Sequence, residues 1–534
     1  MRRCYARRVA LGRRRFLLGS AAAAASLPWL PACAGPGWQP RPGNPFHHGV
    51  ASGDPLADRV MLWTRVSPPP DAPESIPVRW SVARDPAMTF EVAHGRTVAG
   101  PLRDHTVKVD ATGLSPGTSY FYRFSVLGHD SPVGRTRTLP SGSPSRVRLA
   151  LCSGSNIAFG YFNAYALLAR RTDLDAVLHL GDYLYEYANG TYGDGAPFGR
   201  IPQPDREIVT LADYRTRHAQ YKSDPDLQEV HRQHPFIAIW DDHEIAKGAW
   251  RGGAQNHQPD EGAWTARWQN ALRAYLEWMP IREVVMGQSA RTYRRFRFGS
   301  LLDLMMLETR LSRDRPVSDP ARSMLGAQQE KWLLDLLSRS KSAGVAWRVI
   351  GQQTLFGQLL GEKGAVPSAD SWDGYPSSRG RILDHLERNG IDDTVVVGGD
   401  LNSSWALDLS RDPFSREVYD FASGRGSLAV EFLTPGVTSP ALQDSGEAAR
   451  AAARTLERNP HVKWVDFFHR GYALLDVDRE RVQCEWYHLD TVTERKPGEH
   501  FAGAFLTRRG RNHLEPAKRR SRPRRPAPTL APWT

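Results

Sequence analysis

The sequence predicts a small all-β domain followed by a larger α/β domain. Residues 44–140 contain short alternating, β-branched and aromatic runs between Pro-, Gly- and Asp-rich turns, which is typical of an antiparallel sandwich. Residues 145–505 instead alternate uninterrupted apolar strands with helical stretches, as in sheets that are covered on both faces. With 40% apolar and 24% charged residues over 534 positions, the composition excludes a mainly disordered, collagen-like or multi-span membrane protein.

The chain begins with the features of an export signal at residues 1–34. Arginine pairs precede the string RRRFL, and an Ala-rich apolar stretch that is shorter than a membrane span continues to Leu30. The Arg-Arg-x-Phe-Leu pattern resembles a twin-arginine signal, which implies export of the folded protein by the twin-arginine machinery to the periplasm or the cell surface. An ordinary Sec signal with additional arginines is the alternative.

Two processing sites overlap at the end of this signal. The string LPAC (30–33) resembles a lipobox, which would make Cys33 a lipidated first residue and anchor the protein to a membrane. The string ACA (32–34) also fits a small-x-small cleavage site, and a proline is unusual in a lipobox. Both alternatives leave Cys152 and Cys484 in the mature chain, which are too few to predict a disulfide framework.

Four segments of the first domain predict its strands: RVMLWTRV, VRWSVA, HTVKVDATGL and TSYFYRFSVL. They are separated by turn clusters such as SPPPDAP and LSPG. The string TGLSPGTSYFYRF resembles the turn and strand of a fibronectin type III-like domain, so we expect a fibronectin/Ig-like sandwich. The segment TLPSGSPS (138–145) is the predicted linker to the next domain.

The second domain alternates two kinds of segment. Buried-type strands are predicted in VRLALCSGSN, DAVLHLGDYLYEY, PFIAIWDDHE, AWRVIGQQTLF and DTVVVGGDLNSSW. Helices are predicted in YFNAYALLARR, ALRAYLEWM, AQQEKWLLDLLSRS and RGRILDHLER. The sequence contains no internal repeat and no dinucleotide-binding glycine fingerprint.

The positive charge of the chain is confined to its two ends. The formal net charge is +12, but residues 1–35 carry +7 and residues 507–534 carry +8, which leaves −3 for the middle. A slightly acidic middle excludes a nucleic-acid-binding core, which needs clustered positive charge on the fold. The Arg- and Pro-rich tail at 507–534 lacks apolar periodicity and is predicted to be disordered, either solvated or in contact with anionic lipids or wall polymers.

Each buried-type strand ends in side chains that can bind a metal. In open α/β sheets the site forms beyond the carboxyl ends of the strands, so these side chains are expected to converge. They are Cys152, Asp182, Tyr185, Asp241, Asp242, His243, Gln352, Gln353, Asp400 and Asn402. Several carboxylates gather in one pocket only if a cation neutralises them or they take up protons, so the sequence predicts a metal centre.

Family-specific strings occur in order between residues 45 and 495: HGVASGDP, LCSGSN, HLGDYLYEY, WDDHE, GAQNH, LETR, GQQ, DSWDGYP, GGDLNSSWALDL, VEFLTPGVTSP, HVKWVDFFHRGYALLDV and CEWYHLDT. With these strings the chain resembles the PhoD-type alkaline phosphatases of the calcineurin-like metallophosphatase superfamily. The resemblance implies a four-layer metallophosphatase domain, with a central β-sandwich flanked by helices, behind the N-terminal sandwich domain. It also implies hydrolysis of phosphate monoesters and diesters, with ferric iron and calcium as the bound ions.

The resemblance assigns the metal ligands one by one. Cys152 matches the thiolate ligand of iron, Asp182 the carboxylate that bridges two metals, and Tyr185 the phenolate ligand of iron. Asp242 takes the place of an oxygen ligand of the second metal, and Asp400 that of the aspartate in a GDxH element. A buried free cysteine, an N-cap aspartate and a core tyrosine are the alternatives for the first three residues.

Three positions depart from the family pattern. Asn402 stands where the family usually has histidine, and its carbonyl oxygen is a harder, weaker donor that suits calcium or magnesium. Lys247 and Gly248 stand where relatives often have asparagine and aspartate, so one companion cation fewer is expected if that aspartate binds it. Lys247 would then contribute positive charge to phosphate, or else be a solvated surface lysine.

Other residues are candidates for contact with the substrate. The resemblance makes His243 the histidine that contacts phosphate and protonates the leaving oxygen, with a surface or core imidazole as the alternative. Arg310 in LETR would either clamp phosphate oxygens or form a structural ion pair. The pocket-lining candidates, for which a core position is the alternative, are Asn256, His257, Gln353, Trp372 and Tyr375.

These residues together predict an exported, metal-dependent hydrolase of phosphate esters that acts as a monomer. A metal-bound hydroxide would attack phosphorus in line, and no serine nucleophile is expected because the sequence has no G-x-S-x-G elbow. One alternative is a phospholipase D-like hydrolase of lipid headgroups. The other is a degenerate, non-catalytic member that binds phosphate or wall polymer, which the departures at Asn402, Lys247 and Gly248 support.

Overall fold

The computed structural model describes residues 43–534 except 287–288, 317–318, 320, 362–367, 525 and 534. The predicted signal at 1–34 and its Cys33 lie outside the described residues. None of the helices in the described part of the chain is long and apolar enough to cross a lipid bilayer.

The strands in the described ranges are β1 Val50–Gly53, β2 Arg59–Arg65, β3 Ile76–Ala83, β4 Glu91–Ala99, β5 Thr106–Thr112, β6 Ser119–Val126, β7 His129–Asp130, β8 Gly134–Arg137, β9 Arg146–Cys152, β10 Ala176–His179, β11 Pro235–Ala238, β12 Val284–Met286, β13 Ser289–Arg291, β14 Arg294–Phe298, β15 Leu302–Met306, β16 Trp347–Gly351, β17 Thr394–Gly398, β18 Ser404–Ser410, β19 Ser427–Leu433, β20 Val462–Asp466, β21 Gly471–Asp478, β22 Arg481–Leu489, β23 Glu499–Arg508 and β24 Leu514–Pro516. The α-helices there are α1 Asn163–Ala169, α2 Leu211–Lys222, α3 Pro225–Gln233, α4 Trp264–Trp278, α5 Gly326–Ser342, α6 Pro376–Arg388 and α7 Ser445–Arg458.

Two sheets form the centre of the α/β region. The larger has the strand order β24-β23-β22-β21-β9-β10-β11-β1-β2-β5, and the smaller has the order β14-β15-β16-β17-β19-β18-β20. Strands β9, β10 and β11 run parallel, as do β15, β16, β17 and β19. Parallel neighbours need crossover connections, and helices α1, α2, α3, α5 and α6 lie in them. Each sheet therefore presents a set of carboxyl ends along one edge.

The two sheets face each other across the main core, and helices cover their outer faces. Strand β16 shows this arrangement, because Val349 belongs to the same core cluster as Leu149 of β9, whereas Ile350 packs with Leu333 of α5 and Ile382 of α6. This is the pattern of a strand that is buried on both faces. The predicted α/β fold, with central sheets flanked by helices, is confirmed.

The N-terminal all-β part shares a sheet with the α/β part. Strands β3, β4, β6, β7 and β8 form one sheet, and β1, β2 and β5 form the opposite layer of the sandwich, with Leu62 and Val78 in its core. Strand β1 also pairs in parallel with β11, so this layer continues into the ten-stranded sheet. A Cβ atom on Gly53 would lie 2.3 Å from the carbonyl oxygen of Pro280 and 2.6 Å from that of Phe236, which explains the glycine at this junction.

The C-terminal residues pack on the fold, which corrects the disorder that the sequence predicts for 507–534. Strand β24 pairs with β23, and Arg524 donates from Nη1 to Asp175 Oδ1 at 2.8 Å. Further along, the backbone N–H of Ala531 donates to Gln233 Oε1 at 2.9 Å. An arginine-rich tail is disordered only when the fold has no acidic residues to pair with it. Here the fold provides Asp175.

Candidate metal centre and active site

Six parallel strands of the two sheets end close to one another. The loops that follow β9, β10, β11, β15, β16 and β17 carry, in this order, Ser153, Asp182, Asp241 to His243, Arg310, Gln353 and Asp400. Among them, Asp182, Asp241, Asp242 and Asp400 each place a carboxylate oxygen within 4.8 Å of the others. We call these four residues the acidic cluster. Its position at the strand ends is the one that the sequence predicts.

Several buried oxygens at this place have no hydrogen-bond partner among the described residues. They are Oδ1 of Asp182, Oδ2 of Asp241, Oδ1 of Asp242 and Oδ1 of Asn402. A buried polar atom without a partner costs about 1–3 kcal/mol, and more if it is charged. Carboxylate and amide oxygens are the ligands that hard cations prefer. The donor set therefore fits bound cations.

One cationic side chain of the protein already lies among the acids. The fully buried Arg310 donates from Nε to Asp241 and from Nη2 to Asp400 Oδ1 at 2.9 Å. Its Nη1 donates to Asp370 Oδ2 at 2.6 Å, and its Nη2 also lies 3.8 Å from Asp242 Oδ1. Because its nitrogens are engaged in this way, the geometry favours the structural ion-pair alternative for Arg310 over a free phosphate clamp.

Asp370 is a further acid at the site that the sequence analysis did not single out. Arg313 donates from Nη2 to its Oδ1 at 2.6 Å, opposite the bond from Arg310. Although burial opposes the effect, the two guanidinium groups hold the pKa of Asp370 well below its usual range. Its location at the start of the string DSWDGYP was the available signal.

The carboxyl groups of the acidic cluster differ in their tendency to ionise. Burial, followed by the charges of neighbouring acids, raises the pKa of Asp182 and of Asp241 well above its usual range, against the opposing effect of nearby cationic side chains. For Asp242 the balance is reversed, since Arg310 and His243 lower its pKa despite its burial. A cation bound to the cluster would favour the ionised forms of all these groups.

Backbone constraints hold the acids in position. The Glu244 carboxylate accepts hydrogen bonds from the backbone N–H groups of Asp182 at 3.1 Å and Asp241 at 2.7 Å, which joins two strand ends. Asp182, Asp400 and Asn402 have φ angles of +54°, +58° and +50°. Non-glycine residues seldom adopt this left-handed conformation, and such residues concentrate at functional sites.

His243 stands beside the acids and is oriented by Glu186. Its Nδ1 lies 2.7 Å from Glu186 Oε2, and the other oxygen of Glu186 accepts from the Lys247 backbone N–H at 2.8 Å and from Asn256 Nδ2 at 2.9 Å. Although burial opposes the effect, Glu186 and Asp242 raise the pKa of His243 well above its usual range. The sequence analysis missed Glu186, which lies four residues after Asp182 in the string HLGDYLYEY.

Tyr185 also reaches the acidic cluster. Its hydroxyl donates to Asp182 Oδ2 at 3.1 Å and accepts from Ser439 Oγ at 2.7 Å. Its ring centroid lies 4.3 Å from that of His243. Tyr192 covers the same imidazole, with nearly parallel rings at 6.3 Å. Tyr185 therefore lies beside Asp182, and its role as a ligand of iron stays a prediction.

Cys152 does not take part in the acidic cluster, which corrects its predicted role as a ligand. Its thiol is fully buried and interacts electrostatically with the Tyr165 phenol of α1. The next side chain, Ser153, lies at the site instead, donating to the carbonyl of Gly181 at 3.2 Å and accepting from the backbone N–H of Asp400 at 3.4 Å. Successive side chains of a strand point to opposite faces of the sheet. An error of one residue in locating the strand end therefore assigns the site to the wrong side chain.

Asn402 fits into a space that only glycines leave open. A Cβ atom would lie 2.1 Å from Asn402 Oδ1 if it were added to Gly154, and 2.8 Å away if it were added to Gly436. Gly154 also has a φ of +67°. The amide oxygen therefore has a defined position two residues after Asp400, and its role as a metal ligand stays a prediction.

The other departures from the family pattern have clear structural outcomes. Lys247 is exposed, which agrees with the surface alternative. The backbone N–H of Gly248 donates to Asp242 Oδ2 at 2.6 Å, and its φ of +69° favours glycine. The pocket-lining candidate His257 lies between β11 and α4, where its Nε2 is 3.1 Å from the carbonyl oxygen of Gly262.

The remaining pocket-lining candidates lie in the core. Gln353 is fully buried, donates to the carbonyl of Trp240 at 2.7 Å and accepts from Thr309 Oγ1 at 2.6 Å. Trp372 and Tyr375 are fully buried in the core cluster that includes α5 and α6. The core alternative therefore describes these three residues better than contact with substrate does.

Comparisons with known proteins add to this geometry. A family model described as PhoD-like phosphatase matches residues 149–486, and one described as the PhoD-like phosphatase N-terminal domain matches residues 32–140. Alkaline phosphatase D of Bacillus subtilis (strain 168) is 36% identical over 481 residues, which cover 84% of this chain and 78% of the relative. A solved structure described as "Structure of PhoD" is 33% identical, with a TM-score of 0.80 over 89% of this chain and 93% of that chain.

Proposed function

This chain belongs to the PhoD-like phosphatase family and is a phosphoric ester hydrolase, and we propose that its acidic cluster binds the cations on which hydrolysis depends. The observation that carries the proposal is the set of buried, unpartnered oxygens of Asp182, Asp241, Asp242 and Asn402. Buried polar atoms almost always have a polar partner. Oxygens from both sheets that meet at one place without such partners therefore indicate a ligand that binds them.

The residues that would hold the cations are Asp182, Tyr185, Asp242, Asp400 and Asn402, with Asp241 beside them. When bound, such cations polarise the phosphoryl oxygens and acidify a coordinated water. The family resemblance suggests iron and calcium. The carboxylates of the acidic cluster and the amide of Asn402 are oxygen donors, which supports calcium or magnesium more than iron.

His243 is the proposed donor of a proton to the leaving oxygen. Its bond to Glu186 fixes the ring through Nδ1, which leaves Nε2 to donate. The neighbouring carboxylates keep the imidazole protonated, which is the state that a general acid needs. Arg310 and Glu244 are positioning residues. Arg310 binds carboxylates of the acidic cluster, and Glu244 binds the backbone N–H of Asp182.

A metal-exchange experiment tests this proposal. The protein is stripped with a chelator, reloaded separately with Ca²⁺, Mg²⁺ or Fe³⁺, and assayed on p-nitrophenyl phosphate, bis-p-nitrophenyl phosphate and phosphatidylcholine. We expect hydrolysis of the first two substrates to disappear on stripping and to return on reloading. Preferred release of the headgroup from phosphatidylcholine would instead support the phospholipase D-like alternative.

Absence of turnover on all three substrates in every metal state would contradict the proposal and support a non-catalytic, phosphate-binding member of the family. Unchanged turnover after complete stripping would contradict the role of cations. Each outcome is read together with the metal content of the same sample by elemental analysis.

We further propose that residues 1–34 direct export of the folded protein by the twin-arginine machinery. The string RRRFL and the short apolar stretch after it support this proposal. Changing Arg13 and Arg14 to lysine should stop the appearance of active enzyme outside the cytoplasm, whereas the same change at Arg7 and Arg8 should not. Equal export of the two variants would contradict it. Loss of membrane retention in Cys33→Ser would identify lipidation.

A further inference from the structure

A second group of potential metal ligands contains no member of the acidic cluster. His469, His488 and His500 each place a ring nitrogen within 4.8 Å of those of the other two. We call these residues the histidine row. They lie at the ends of strands β21, β22 and β23, which are neighbours in the ten-stranded sheet.

The register of the sheet brings these side chains together. His488 of β22 is the antiparallel partner of His500 of β23, and it is also the partner of Gly471 of β21. His469 precedes Gly471 by two residues. Directly opposed residues project to the same side of a sheet, so three consecutive elements present imidazoles on one face.

The rings are close enough to share one ion. The centroids of His469 and His488 are 4.7 Å apart, and that of His500 lies 5.7 Å and 5.8 Å from them. In a tetrahedral zinc site the nitrogens lie about 2.0–2.1 Å from the metal, and hence about 3.4 Å from one another. The side chains of His469 and His500 are 37% and 53% exposed, so they have room for the small movement required.

Neighbouring polar groups determine which nitrogens are available. Asp466 Oδ2 lies 3.0 Å from His469 Nδ1, which leaves Nε2 for a metal in the carboxylate–histidine arrangement that makes an imidazole a better ligand. Ser404 Oγ lies 3.2 Å from His488 Nε2, which leaves Nδ1.

Two members of the histidine row, His469 and His500, line a cavity of about 460 Å³ together with Arg470 and Asp490. Three imidazoles are the donor set of borderline divalent transition ions, whereas the all-oxygen set of the acidic cluster suits harder cations. We propose that His469, His488 and His500 bind a divalent transition-metal ion such as Zn²⁺, with its open coordination position facing this cavity. The bound ion would join three elements at one end of the sheet.

Cobalt provides a spectroscopic test in the full-length protein. With the acidic cluster saturated with Ca²⁺, Co²⁺ is added and excess metal is removed by gel filtration. We expect one retained equivalent with the visible absorption of an imidazole-ligated, low-coordinate Co²⁺ centre. This absorption should persist in Asp182→Asn and disappear in the double variant His469→Ala/His500→Ala. Both readouts are independent of hydrolysis, so the result is separate from the fate of the proposed function.

A matched control uses His94→Ala, because His94 of β4 is 66% exposed and lies outside the histidine row. Equal cobalt retention and absorption in the double variant and in this control would overturn the proposal. Loss of the absorption in Asp182→Asn would also overturn it, since the ion would then belong to the acidic cluster. If the double variant has an altered circular dichroism spectrum, the single variant His500→Gln, at a half-exposed position, must lose the centre for the proposal to stand.

Discussion

The acidic cluster and the histidine row both lie at strand ends, but the protein prepares them in different ways. Asp182, Asp241 and Asp242 are buried, and Arg310 and the Glu244 carboxylate hold the acidic cluster in place. Two of the three histidines are substantially exposed, and the sheet register aligns them together with Asp466 and Ser404. The comparison indicates that the acidic cluster depends on positive charge to remain assembled, whereas the histidine row exists with or without an ion.

The strongest test of this difference is Asp182→Asn. The change removes one charge and keeps the shape, so we expect hydrolysis of p-nitrophenyl phosphate to fall by about 10²–10³-fold. Calcium or iron content should fall with it, while Co²⁺ at the histidine row is retained. Asp335→Asn on the exposed face of α5 is the control and should leave both quantities unchanged. Full metal content in the Asp182 variant would contradict its role as a ligand.

Arg310→Met tests the cationic side chain of the acidic cluster. Removing one partner of a buried ion pair costs about 3–5 kcal/mol, because the other charges remain buried and unpaired. We expect this loss in free energy of unfolding, measured with denaturant, in the chelator-treated protein and a smaller loss in the cation-loaded protein. The control is Arg59→Met, since the Arg59–Asp58 pair is exposed to solvent and should contribute much less to stability. Equal losses with and without cations would contradict the comparison.

The acidic cluster also predicts how stability depends on pH. Burial raises the pKa of Asp182 and Asp241 in the folded protein, so folded molecules hold more protons than unfolded ones above about pH 4. The free energy of unfolding must then fall as pH rises from this value towards the folded-state pKa values. Bound cations oppose the fall, so the melting temperatures of loaded and stripped protein should diverge as the pH rises above about 4. A constant difference would contradict this prediction.

The smallest expected effect is that of Asn402→Asp. The new side chain has the same shape, fits the space beside Gly154 and Gly436, and adds one negative charge to the donor set. We expect several-fold tighter calcium binding in a calorimetric titration, with little change in the histidine row. Asn402→His, which restores the family's usual residue, should instead favour iron. Unchanged affinity in both variants would remove Asn402 from the ligand set.

Much of the site was predictable because strand ends are visible in a sequence. Asp182, Asp242 and Asp400 each follow an apolar run, and the rule that sites form at carboxyl ends of parallel strands is enough to bring them together. Cys152 follows such a run too, but the strand ends one residue later than its pattern suggests, and the side chain falls on the other face. A sequence pattern specifies the strand more accurately than it specifies the last residue.

Partners that come from distant parts of the chain were not predictable. Glu186 gains its role only through Nδ1 of His243, and Arg310 gains its role only when four acids from other loops surround it. The C-terminal tail was misjudged for the same reason, because its composition predicts disorder while Asp175 and Gln233 provide partners. The sharing of one sheet by the two parts of the fold also depends on a pairing, β1 with β11, between distant segments.

The docked tail has a consequence for how the molecule is made. Arg524 pairs with Asp175 next to β10, and Ala531 bonds to the last residue of α3, so residues that are synthesised much later complete contacts in the middle of the chain. While those residues are still inside the ribosome, that region lacks these partners. The contacts of Asp175 and Gln233 with the tail therefore form only after Arg524 and Ala531 have left the ribosome.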